Sequence, residues 1–278
     1  MKQNILIVLF LFSIQAVALQ PSKIRLLVRA DDIASFHDAN IACIQSANEG
    51  IVRSIEIMVN CSWFPEAVEM LNKNPSVDVG LHLMVTSEWD EIKWRPLTTA
   101  SSITDKNGYF YPSIWGAQDD TKHLLHANWN IKELEKELRA QIELGKKNLP
   151  QASHISAHMG FSHMAPVVKN LVNKLAGEYH LATEDEITVQ SFDGWGDATN
   201  SKEAIARFIV NLRQLKPGDY LFVEHPGLDR SEIQAVKRNV AADRQIVTDV
   251  FTSPEVKSAI DELGIELVSY SDLINTKN

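Results

Sequence analysis

The chain has 278 residues, 45% hydrophobic and 23% charged, which is enough apolar chain to bury the core of one large α/β domain or two small ones. A net charge of −9 and the absence of any basic cluster exclude the usual electrostatic footprint of a nucleic-acid partner. At the N-terminus, Lys2, the apolar run from Ile5 to Ile14 and the small residues Ala16-Val17-Ala18 have the pattern of a secretory signal peptide over residues 1–18. That run is too short to read as a membrane span. The expectation is an exported chain, periplasmic or extracellular, with residues 19–278 as one mature domain that has no membrane span of its own. Its two cysteines, Cys43 and Cys61, are expected to be buried free thiols, because a domain of this size needs no disulfide staple.

The first mature element is Ile24-Arg25-Leu26-Leu27-Val28-Arg29-Ala30-Asp31-Asp32. A continuous apolar run of this kind reads as a strand buried on both faces. It ends in two adjacent carboxylates, which either cap the next helix or stand at the rim of a parallel sheet, where such folds place their chemistry. A short helix is predicted over Asp38 to Asn48, a strand over Ile51 to Val59, a helix over Pro65 to Leu71, and a strand over Val77 to Val85. That alternation indicates βαβ units and a mainly parallel sheet. His82 lies inside the third strand, and taken alone it reads more readily as a hydrogen-bonded core residue than as a ligand.

Residues 86–129 break the rhythm as an aromatic-rich insertion with Trp89, Trp94, Trp115 and Trp129, and a turn at Asp105-Lys106-Asn107-Gly108. Indole faces suit a sugar ring, and they equally suit a small satellite core. An amphipathic helix is predicted over Ile131 to Lys147, with Leu134, Leu138 and Ile142 inside and Glu133, Lys136, Glu137 and Arg139 outside. In the next strand His154, Ser156 and His158 share one face by the two-residue period, with Gly160 turning the chain just afterwards. A helix over Pro166 to Ala176, a short strand over His180 to Ala182 and a helix over Ser201 to Leu215 lead to the strand Tyr220 to Glu224, which runs into His225-Pro226-Gly227. A polar loop to about Asp249, a helix over Pro254 to Leu263, a strand over Ile265 to Val268 and a final short helix complete the expectation.

Strand ends this far apart in sequence, carrying Asp31-Asp32, His82, His158 and His225, converge only at the mouth of a closed or nearly closed (β/α) barrel. Two imidazoles and a carboxylate there make a hydrolytic metal site, with an acid and a histidine left for proton transfer.

At these residues the chain resembles the YdjC-like carbohydrate deacetylase family, which includes chitooligosaccharide deacetylases, from about Ile24 to Leu273. The family's Asn-Ala-Asp-Asp-Phe-Gly strand end is present as Arg29-Ala30-Asp31-Asp32-Ile33-Ala34. Its Gly-Leu-His-Leu is intact as Gly80-Leu81-His82-Leu83, and its His-Pro-Gly as His225-Pro226-Gly227. The resemblance implies an α/β fold, a distorted (β/α) barrel with mainly parallel strands. It implies one divalent metal ion, zinc or magnesium, on Asp32, His82 and His158, with Asp31 as general base and His225 as general acid. The implied reaction removes N- or O-linked acetyl groups from an oligosaccharide or polysaccharide. Substrate contacts are expected from Trp89, Trp94, Trp115 and His154. The family's His-x-Asp-Ser-His-x-His-x-His reads here His154-Ile155-Ser156-Ala157-His158-Met159-Gly160-Phe161-Ser162, without its Asp and last two His, and Arg29 replaces an asparagine. Two other readings stand beside this one. In a glycoside hydrolase, Asp31 or Asp32 would pair with Glu224 and no metal would lie between them. The second is a non-catalytic carbohydrate-binding barrel.

Overall fold

The apolar run that opens the mature sequence forms the longest strand, β1 (Ile24–Ile33), and the sheet is laid against it. The computed structural model describes residues 23–116, 122–236 and 238–275, and the expected signal segment lies outside them. After β1 come α1 (His37–Asn48), β2 (Ser54–Ile57), α2 (Phe64–Asn72) and β3 (Asp78–Leu83). Beyond the insertion follow α3 (Ile131–Asn148), β4 (His154–Ala157), α4 (Pro166–Glu178), β5 (Ala182–Thr183) and β6 (Gln190–Ser191). The chain continues through α5 (Ser201–Leu212), β7 (Gly218–Glu224), α6 (Ser231–Val236), α7 (Arg238–Thr252), α8 (Pro254–Glu262), β8 (Glu266–Leu267) and α9 (Tyr270–Asn275).

The strands pair in parallel in the order β5-β4-β3-β2-β1-β7-β6, and β8 lies against the first half of β1. The two edge strands, β5 and β6, are joined only by residues 184–189, a span of roughly 25 Å at full extension. The sheet must therefore curl back toward itself. The result is the expected α/β architecture, a distorted (β/α) barrel left unpaired between β5 and β6.

Alternation along the strands divides the barrel wall. Leu26, Val28 and Ala30 join the large core under the helices, whereas Leu27 belongs to a smaller cluster with Ile187, Val268, Tyr270 and Leu273. Arg29 and Asp31 share the Leu27 face by the two-residue period. The other inward rows carry Ser54 and Glu56 on β2, Gly80 and His82 on β3, and His154 and Ser156 on β4; their alternates Ile55, Ile57, Val79, Leu81 and Ile155 lie in the large core. The barrel is thus plugged by an apolar layer that includes Tyr270 and carries buried polar residues nearer the mouth.

Helix starts are set locally. Asn130, Asn200 and Ser253 cap α3, α5 and α8 by accepting backbone N–H groups, and prolines occupy the first turns of α2, α4 and α8. Two expectations need correcting. The segment read as a polar loop to about Asp249 is helical, forming α6 and α7. Glu137, expected on the outer face of α3, is fully buried and accepts hydrogen bonds from Asn60, Leu97, Thr98 and Gln141. That carboxylate ties the insertion to α3.

The insertion itself is irregular, as its sequence suggests, with short 3₁₀ turns at Ser101–Ile103 and Leu124–His126. The predicted turn at Asp105 closes through a Gly108 N–H to Asp105 carbonyl bond of 3.0 Å, with Gly108 at φ 78°. Cys43 and Cys61 are both buried and free, as expected. Among the described residues no helix is long and apolar enough to cross a membrane.

Candidate active site

A cleft of about 760 Å³ opens where β1, β3, β4 and β7 end, and Asp31, Asp32, His82, His158 and His225 all line it. In a regular strand, adjacent residues such as Asp31 and Asp32 would face opposite sides. The β1–β2 register steps from Ala30↔Ile55 to Ile33↔Ile57, three residues against two, so β1 bulges at the acid pair. Within this bulge Asp32 takes the left-handed conformation, φ 71°. Both carboxylates are thereby delivered to the cleft, at the expense of a strained non-glycine backbone.

His158 arrives differently from the expectation. β4 stops at Ala157, so His158 does not share the strand face of His154 and Ser156; it opens a 3₁₀ turn in which Met159 and Gly160 both have positive φ. The turn still directs His158 Nδ1 to 3.4 Å from Asp32 Oδ1 and 3.3 Å from His82 Nε2. His82 Nε2 lies 3.6 Å from the same Asp32 oxygen. Three ligands about 2.1 Å from one tetrahedral ion stand roughly 3.4 Å from each other, so this triangle has the size a metal needs. Asp32 Oδ1 is buried and has no hydrogen-bond partner among the described residues, as an atom reserved for a cation would be. Asp32, His82 and His158 could therefore hold a metal ion together.

The electrostatics agree with the geometry. Burial, aided by the positive charge of His158, pushes the His82 imidazole down to about 3, so its lone pair is free at neutral pH. For His158 burial opposes charge, but Glu88 and Asp32 outweigh it and carry the ring up to about 10. The carboxylates around this point favour a positive charge. Asp32 is held well below the usual carboxylate range: burial resists ionisation, and His225, His158 and Arg244 more than offset it. His225, beyond the end of β7, lies 4.0 Å from Asp32 Oδ2 and 3.7 Å from Glu224. Partial burial of the ring disfavours charge, but Asp32 and Glu224 raise its pKa above the ordinary histidine value.

Two arginines hold the acid pair. Arg29 Nη2 donates to Asp31 at 2.8 Å, and Nη1 reaches Glu184 at 3.1 Å and the Tyr270 hydroxyl at 3.0 Å. Arg244, from α7, donates to Asp32 Oδ2 at 2.8 Å, which leaves Oδ1 to the two histidines.

The profile of YdjC-like proteins matches residues 25–262. The chain belongs to the YdjC-like family. This YdjC-like chain is 28% identical to a carbohydrate deacetylase of Brevibacillus brevis over 264 residues, covering 90% of this chain and 99% of the relative. It is also 28% identical to a chitooligosaccharide deacetylase of Yersinia enterocolitica over 265 residues, covering 89% and 98%. Its fold matches the crystal structure of a candidate cellobiose-phosphate cleavage protein from Enterococcus faecalis V583, with a TM-score of 0.72, 22% identity, and coverage of 91% and 99%.

The substrate contacts expected in this YdjC-like chain are sorted by burial. His154 is 0% exposed, with Nε2 2.8 Å from Glu56 and Nδ1 2.7 Å from Ser153, so it cannot touch a sugar. It supports the barrel interior, stacked on Tyr270 at 3.9 Å between ring centroids. Trp89 and Trp94 are buried as well, packed edge-on at 5.1 Å, with Trp89 also against Phe36 and behind the Arg244 guanidinium. Both indoles serve packing. Trp115 is 45% exposed, and its Nε1 donates to the carbonyl of Met159, a residue of the cleft wall.

Sequence reasoning missed Glu56, Glu88, Glu184, Arg244 and Tyr270. Glu56 alone left a readable sign, a carboxylate alternating with Ile55 and Ile57 in a buried strand.

Proposed function

We propose that this YdjC-like protein is a metal-dependent carbohydrate deacetylase, removing N- or O-linked acetyl groups from an oligosaccharide or polysaccharide. The observation that carries the reading is the triangle of Asp32 Oδ1, His82 Nε2 and His158 Nδ1 at the floor of a cleft that Asp31 and His225 also line. The printed names of the Brevibacillus and Yersinia relatives support the same chemistry. Two imidazoles and a carboxylate suit zinc, with magnesium the second choice. When bound, a divalent ion there supplies Lewis acidity, polarising the acyl carbonyl and making water a competent nucleophile near neutral pH.

The residues of this chain do the rest. Asp31, held by Arg29, accepts the proton of the attacking water. His225, whose pKa is raised above the ordinary histidine value by Asp32 and Glu224, delivers a proton to the departing amine or alcohol. Arg244 keeps Asp32 turned so that Oδ1 faces the histidines. A glycoside hydrolase would keep its two carboxylates free for the glycosidic bond. Here Asp32 is enclosed by two histidines and an arginine, which favours the deacetylase. The pattern of Lys2, the apolar run to Ile14 and Ala16-Val17-Ala18 supports an exported enzyme acting on glycans outside the cytoplasm.

The test is metal analysis of the purified protein together with acetate release from a panel of N- and O-acetylated glycans. One divalent ion per chain and chelator-sensitive acetate release are expected, and Asp32→Asn should lose both. Cleavage of glycosidic bonds without acetate release would overturn the reading.

Trp115 is the remaining candidate for a sugar platform. Trp115→Ala is expected to raise KM several-fold with little change in kcat or melting temperature, because stacking contributes equally to ground and transition states. Trp94→Ala is the packing control, expected to cost about 3–5 kcal/mol of stability. Unchanged KM in Trp115→Ala would remove this indole from the binding surface.

A further inference from the structure

We infer that Glu56 is a positioning residue for His82, acting through the Ser156 hydroxyl to fix which imidazole nitrogen faces Asp32 and His158. The inference rests on the metal reading of that cluster for its functional meaning, but its first test needs no metal.

Register brings the groups together. Glu56 on β2 pairs with Gly80 on β3, and Gly80 pairs with His154 on β4. These three lie side by side on the inward face. A Cβ at position 80 would fall 2.0 Å from Glu56 Oε2 and 2.5 Å from His154 Nε2. Glycine in the middle strand is what lets the carboxylate and the imidazole meet across it, at 2.8 Å. One row toward the mouth, His82 pairs with Ser156, and His82 Nδ1 lies 2.7 Å from Ser156 Oγ.

The direction of each bond follows from counting protons. Ser156 has one O–H, and it donates to Glu56 Oε2. With that proton committed, Ser156 Oγ can only accept from His82, so the His82 proton is on Nδ1. Nε2 is then left with its lone pair, and Nε2 is the atom 3.6 Å from Asp32 Oδ1 and 3.3 Å from His158 Nδ1. Glu56 is fully buried, with its other oxygen bound by His154, so nothing from solvent competes for this chain of bonds. Imidazole ligands depend on such a partner on the far nitrogen to set tautomer and ring orientation.

The first experiment is long-range ¹H–¹⁵N NMR of histidine-labelled full-length protein without metal, in wild type, Ser156→Ala, Glu56→Gln and the double variant Glu56→Gln/Ser156→Asp. The wild-type His82 ring is expected to carry its proton on Nδ1. Ser156→Ala and Glu56→Gln should lose that preference, and the double variant should restore it, because a carboxylate at 156 accepts directly from Nδ1. Zn²⁺ titration against a chelating dye gives the second readout. Each single variant should weaken binding about 10–100-fold, with recovery in the double variant. Melting temperatures are recorded in parallel, and Ser156→Ala, a loss of one hydroxyl, keeps the test open if Glu56→Gln folds poorly. A wild-type His82 protonated on Nε2, or a tautomer preference unchanged in Ser156→Ala, overturns the inference. Normal tautomers with no Zn²⁺ binding by wild type would instead overturn the metal reading and leave the relay standing.

Discussion

An Asp31→Asn variant is expected to keep its metal and its fold and to lose about 10²–10⁴-fold in kcat, the usual cost of removing a general base. Asparagine preserves the shape of the side chain. Arg29 would still hold Glu184 and the Tyr270 hydroxyl, so the guanidinium stays anchored when its bond to the carboxylate weakens. The three proposed ligand atoms belong to Asp32, His82 and His158, and none is altered. Metal stoichiometry and kcat measured on the same preparation separate the roles of the adjacent acids. Activity within a few-fold of wild type, with metal bound, would place the base on another residue.

The largest effect on stability is expected from Glu137→Ala. Its carboxylate accepts from Asn60 Nδ2 at 3.0 Å, the Leu97 and Thr98 backbone N–H groups at 3.0 and 2.9 Å, the Thr98 hydroxyl at 2.8 Å and Gln141 Nε2 at 2.9 Å. Alanine would leave these donors unpaired, at about 1–3 kcal/mol for each that water cannot reach. A total loss of about 3 kcal/mol or more is expected, or roughly 6–12 °C in melting temperature for a chain of this size. Thermal unfolding of Glu137→Ala beside Glu133→Ala is the comparison. Glu133 also accepts from the insertion, at the Ser102 N–H, but through one backbone bond in a more open setting, and its loss should be felt far less. Equal melting temperatures for the two variants would show that Glu137 is not what fastens the insertion.

Strand ends were the legible part of this sequence. β1 reads as a buried strand because its apolar run is unbroken until Asp31, and Gly80-Leu81-His82-Leu83 and His225 sit where parallel strands stop. What could not be read depended on register or on helical faces. His154 reads as a substrate contact because nothing in one strand shows that a glycine in the next opens a path to Glu56 on a third. Arg244 was invisible because α7 mixes charged residues with its apolar positions, and so reads as a loop until Ala241, Val247, Val250 and Phe251 are seen packed in the core. The tryptophans of the insertion could not be sorted into packed and exposed, since an irregular segment has no period from which to infer a buried side.

β1 also sets the order in which the molecule can be completed. The strand is made well before the partners that complete it. Asp32 waits for Arg244, 212 residues on, and Arg29 for the Tyr270 hydroxyl, 241 residues on. β7 and β8, which flank its first half, are also made long after it. A nascent chain short of α9 has an unplugged barrel, with Leu27 lacking Tyr270 and Leu273 of its cluster and Arg29 lacking the tyrosine that helps hold it. Closing loops of this length before their contacts can repay the lost entropy makes for slow folding. The cleft cannot be assembled piece by piece during translation; it forms only once β1 has met β7, α7 and Tyr270.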